Sequence, residues 1–98
     1  MTSKVVVEEI AEIDRRSFEM ASQAAQQPDI RSELAPEARQ LADQLAELSK
    51  TLKRSDPPVH AAVKMQVSEA TLDLLFVQTG TPVYSLRLGR LCRPAPQR

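Results

Sequence analysis

Leu34-Ala35-Pro36-Glu37-Ala38-Arg39-Gln40-Leu41-Ala42-Asp43-Gln44-Leu45-Ala46-Glu47-Leu48-Ser49-Lys50-Thr51-Leu52-Lys53-Arg54-Ser55-Asp56-Pro57-Pro58 is the stretch that decides how this chain folds. Leu34, Ala38, Leu41, Leu45, Leu48 and Leu52 recur at alternating steps of four and three, which puts all six on one face of a helix. Arg39, Asp43, Glu47, Lys50 and Arg54 fall on the opposite face. The pattern predicts a helix over about 36–54, with Pro36 in the first turn, where a missing N–H is harmless. The stripe is as narrow as a coiled-coil seam, but fewer than three heptads favour one side of a helical hairpin.

Ser55-Asp56-Pro57-Pro58 stops this helix and starts another. Asp56 is placed to act as N-cap, and the prolines stand where a helix tolerates them. The next helix is expected over about 57–79, ended by Gly80. Two helices of matched length joined by a short loop form an antiparallel hairpin. This helix carries two apolar stripes. Val59, Val63, Val67, Ala70, Leu74 and Val77 make one; Met65, Leu72 and Phe76 make another, nearly opposite. His60, Lys64 and Thr71 separate them on one side, and Gln66, Glu69 and Asp73 on the other. A helix with two apolar faces needs two partners. A rival reading is β: Val59, Ala61, Val63, Met65 and Val67 alternate as in a strand, and residues 76–88 could form a hairpin. The double cap and the length match favour the helix.

Upstream, Val6, Ile10, Ile13, Ser17, Met20 and Ala24 keep heptad spacing, predicting a helix over about 4–27 that Pro28 ends. Residues 29–34 form a connector. The expected architecture is mainly α: an antiparallel three-helix bundle, domain 1–80, followed by an extended basic arm, 81–98. Thr81-Pro82 favours extended chain, and Val83 to Leu91 could be a strand with Tyr84, Leu86 and Leu88 on one side and Ser85 and Arg87 on the other.

Charge divides at the same boundary. Residues 1–79 hold nine basic and thirteen acidic side chains; residues 80–98 hold Arg87, Arg90, Arg93 and Arg98 and no acid. Phe18, Phe76 and Tyr84 are the only aromatics, so Ala, Leu and Val must build the core. The single cysteine, Cys92, allows no internal disulfide and suits a reducing compartment. With no secretion signal and no long apolar run, the chain reads as soluble and cytoplasmic, with no membrane partner.

No catalytic constellation emerges, and the sequence predicts no enzyme, cofactor, metal or small-molecule substrate. His60 is the only histidine and reads as a surface residue. Cys92 lies near Arg90 and Arg93 but has no orienting base. Glu8 with Glu12, and Glu69 with Asp73, stand at i,i+4, a spacing that solvated helix faces usually produce. Asp14 interrupts an apolar face; it either reaches water at the stripe's edge or meets Arg87 or Arg90 from a folded-back arm.

The expected function is a non-catalytic protein–protein interaction module (a small adaptor, regulator or chaperone-like protein) that self-associates. Its partner surface is expected at Met65, Leu72 and Phe76, with Tyr84, Leu86 and Leu88 of the arm. The alternative is a nucleic-acid-binding accessory protein using Arg87, Arg90 and Arg93 on phosphates, or on an acidic partner. Against it stand the acidic body and the lack of a basic recognition helix.

Overall fold

A computed structural model describes residues 3–81. Three helices follow one another: α1, Ser3–Gln26; α2, Arg31–Ser55; and α3, Pro57–Thr79, with a 3-10 turn, Pro28–Ile30, between the first two. All three pack against one another, and no strand occurs among the described residues. The β reading of 59–68 is therefore overturned. So is the first strand of the proposed hairpin, since Phe76, Val77 and Gln78 are the last turn of α3. The reason is packing: Ala70, Leu74 and Val77 recur at helical spacing and are all fully buried, a demand that outweighs the β preference of valine. Residues 82–98, and with them the strand expected over Val83 to Leu91, lie outside the described residues.

Side-chain contacts give the topology. Ser3 Oγ donates to Asp56 Oδ2 at 2.7 Å, and Gln66 Nε2 donates to Asp14 Oδ2 at 3.2 Å, so α1 and α3 run parallel, displaced by just over fifty residues. Arg16 pairs with Glu37, which makes α2 antiparallel to α1. Arg31 meets Val77, and Ser49 meets His60, so α2 is antiparallel to α3 as well. Short connections allow only this up-down-up arrangement for consecutive neighbours.

The core is the set of stripes read from the sequence. Val6, Ile10, Ile13, Met20, Ala21 and Ala24 of α1 meet Ala38, Leu41, Leu45 and Leu52 of α2 and Ala70, Leu74, Phe76 and Val77 of α3. Ser17 occupies a fully buried heptad position of α1 and satisfies its hydroxyl by donating to Ile13 O at 2.6 Å. Small residues (Ala21, Ala24, Ala38, Ala70) let the helices approach, which is how a core with so few aromatics fills its volume.

The helix ends differ from the expectation in two places. α2 begins at Arg31, five residues before Pro36, so Pro36 stands inside the helix and removes a hydrogen bond to the Ser32 carbonyl. Ser32 is exposed, and water can satisfy that carbonyl. The early start is held by Arg31, whose Nη1 donates to Val77 O at 2.9 Å and Gln78 O at 3.0 Å. The guanidinium thus caps the C-terminus of α3, where carbonyls lack partners and the helix dipole is negative. Asp56 holds the N-cap position of α3, but its side chain caps nothing; it accepts from Ser3 instead. Gly80 ends α3 as expected, at φ 74°, with its N–H on Phe76 O at 2.8 Å. A Cβ at Gly80 would stand 2.9 Å from Arg31 Nε, so a larger residue would strain the left-handed backbone and displace the Arg31 side chain.

Candidate functional site

The three helices differ in what they offer to solvent. The exposed faces of α1 and α2 are dense with charge: Glu8, Glu9, Glu12, Arg15, Arg16 and Glu19 on one, Arg39, Asp43, Glu47, Lys50, Lys53 and Arg54 on the other. Many are paired locally. Arg15 bonds Glu12, one turn before it, and Glu19 Oε2 at 2.8 Å, one turn after. The Arg15 hydrogen bond holds the Glu12 carboxyl below its ordinary range. Such exposed pairs contribute little stability.

α3 is different. Among its exposed residues Lys64 is the only charge; the others include Ala61, Ala62, Met65, Ser68, Leu75 and Thr79. Met65 is 62% exposed and Leu75 42%. At about 100° per residue, Ala61, Met65, Ser68, Leu72, Leu75 and Thr79 fall within an arc of about 80°. This arc points away from α1 and α2. It is a strip of apolar and small uncharged residues along the outside of the bundle.

The second stripe read from the sequence is thus divided. Met65 lies on the outer strip, and Leu72 is half-buried beside it. Phe76, expected at the partner surface, is 8% exposed and belongs to the core. Its position on the wheel turns it toward α1, so the bundle itself occupies that end of the stripe. Leu75, which the stripe analysis left out, takes its place outside. The signal was present: Leu75 stands ten residues after Met65 and three after Leu72, on the same side of the helix. Tyr84, Leu86, Leu88, Arg87, Arg90 and Arg93 lie outside the described residues.

Two other expectations need correction. Asp73, read as one of the polar separators on a solvated flank, is fully buried, and Glu69 one turn earlier is half-buried. Both turn toward α1 rather than water, because α1 packs closely along that side of α3 through Ala21 and Ala24. His60, read as a surface residue, is half-buried, with Nε2 3.3 Å from Ser49 Oγ of α2. Asp14 stands at the edge of its apolar face and joins α1 to α3 through Gln66.

Among the described residues, no group of three or more His, Cys, Asp or Glu side chains could hold a metal ion. No described helix is long and apolar enough to cross a membrane. A cleft of about 590 Å³ opens on the flank of α1, lined by Ala11, Asp14, Arg15, Phe18 and Glu19. Among the described residues that line it there is no histidine, cysteine or hydroxyl. Compared with protein-family models, curated proteins and solved structures, the chain matches none of them.

Proposed function

We propose that this chain is a non-catalytic protein–protein interaction module that self-associates through the outer strip of α3. The observation that carries the reading is the exposure of Met65 and Leu75 on a face whose only exposed charge is Lys64. A helix with two apolar stripes ordinarily buries both. α3 is covered by α1 and α2 on its inner side alone.

A second copy is the partner that this surface suits best. Symmetric pairing brings each patch against itself, so like charges on the patch would repel. The α3 strip has almost none, whereas the solvent faces of α1 and α2 carry many. Ala61 and Ser68 are small enough to let two helices approach closely, with Met65, Leu72 and Leu75 interlocking around them. Methionine adapts its shape readily to an apposed surface.

Light scattering on a size-exclusion column tests the reading. The full chain is expected to elute with the mass of two copies, and Met65→Glu with Leu75→Glu to elute as one with unchanged helical circular dichroism. A full chain that is monomeric at high micromolar concentration would sink the proposal. So would a double variant that still dimerises.

A further inference from the structure

We infer that the two copies pair antiparallel, α3 on α3, about a two-fold axis level with Ala70. The inference rests on the self-association reading and adds the direction and register that reading leaves open.

The outer strip has the spacing of a seam. Ala61, Met65, Ser68, Leu72, Leu75 and Thr79 follow steps of four, three, four, three and four, the alternation that α2 uses on its inner face. At about 100° per residue the strip is centred opposite Ala70, which is fully buried. It is also symmetric along the helix. Ser68 and Leu72 lie two positions from Ala70, Met65 and Leu75 five, and Ala61 and Thr79 nine. A two-fold axis crossing the helix at that level therefore sets the strip against itself with the chain direction reversed.

Size and charge select this direction. Reversal sets each Met65 level with Leu75 of the other copy and each Ser68 beside the other copy's Leu72, so a small side chain makes room for a large one. Met65 then enters the space between Leu72, Leu75, Phe76 and Thr79 of the other copy. Those four stand at i, i+3, i+4 and i+7, the positions that form a hole for a knob. Leu75 enters the corresponding space between Ala61, Lys64, Met65 and Ser68. In a parallel pair every residue stands level with its own copy. Two Ser68 side chains would then share the middle of the seam, where close packing would be lost. The two Lys64 ammonium groups, the only exposed charges of α3, would also stand level. Reversal separates them by twelve positions, about 18 Å at the helical rise of ~1.5 Å per residue, which exceeds the ~8 Å screening length of physiological salt.

Spin labels on the two copies measure the direction. Thr71 and Ala62 are exposed and flank the strip on either side, so a nitroxide at one or the other leaves the seam clear. The full chain carries Cys92→Ser with either Thr71→Cys or Ala62→Cys. In an antiparallel pair the labels at Thr71→Cys are displaced along the axis by about 3 Å, and those at Ala62→Cys by about 24 Å. Electron–electron dipolar spectroscopy should therefore give a distance between copies about 10 Å or more longer from Ala62→Cys than from Thr71→Cys. Light scattering on the same samples separates this inference from the reading beneath it. A two-chain mass with equal distances at the two sites would overturn the antiparallel register and leave self-association standing. Labelling that dissociates the pair would overturn the register too, since both sites lie outside it. A one-chain mass for the unlabelled Cys92→Ser chain would overturn both.

Discussion

α2 and α3 are nearly the same length, 25 and 23 residues, and both bury a stripe in one core, yet their outer faces have opposite characters. α2 sets Arg39, Asp43, Glu47 and Lys50 in solvent, and its single stripe accounts for all its large apolar residues. α3 sets Met65 and Leu75 there. Both helices therefore hold the bundle together from within, but only α3 sets large apolar side chains in solvent. Stability resides in what the two share, and the proposed function in what distinguishes them.

Substitutions on the shared inner faces have the largest expected effects. Leu52 and Leu74 are fully buried, and Leu52→Ala or Leu74→Ala should each destabilise by about 2–5 kcal/mol in chemical denaturation. Similar losses would confirm that the helices are equal inside; a loss at Leu74 under about 1 kcal/mol would break that equality.

The junction where α2 begins and α3 ends comes next. Gly80→Ala should destabilise by about 1–2 kcal/mol from the left-handed backbone alone, with a further penalty from the contact with Arg31. Arg31→Ala should cost about 1–2 kcal/mol, the value of a charged donor on two terminal carbonyls. Since the two residues touch, the double variant should be less destabilised than the sum of the single changes. Strict additivity would show that Arg31 does not restrict this site.

The outer faces should respond least in stability and most unequally in association. Asp43→Ala on α2 and Met65→Ala on α3 should each change folding free energy by no more than about 0.5 kcal/mol. Only Met65→Ala should weaken self-association. Equal effects on mass would remove the distinction between the faces. Smallest of all is the surface pair on α1. The Glu12 carboxyl should titrate below the ordinary range by carbon-detected NMR and return to it in Arg15→Ala. Its folded pKa is depressed, so any stability it adds is present above the unfolded pKa and lost as pH falls through the folded one. Full exposure keeps that contribution small.

The same contrast explains what the sequence made legible. One stripe, one charged face and the Ser55-Asp56-Pro57-Pro58 break were enough to place α2 and its hairpin partner. α1 was as clear, because its heptad apolar positions are flanked by charges. The start of α2 was not, since Pro36 suggested a first turn while the Arg31 contact to Val77 and Gln78 links residues more than forty positions apart. Such a cap leaves no local trace. The side pairing of α3 was also hidden. With two apolar stripes, periodicity cannot say which is inside, and Phe76 entered the core while Met65 stayed out. Asp73 went the same way: a carboxylate one turn from Glu69 looks solvated until α1 is packed over it. The exposure of α3 was half legible: Met65 is exposed and Leu72 half-buried as the outer stripe implies, while the stripe omitted the exposed Leu75 and included the buried Phe76.

Sedimentation equilibrium of the full chain over a wide concentration range tests the central claim most directly, because it measures association without any substitution. The account predicts a reversible rise from the mass of one chain to that of two and no further. A single-chain mass at every concentration up to the high micromolar range would contradict it.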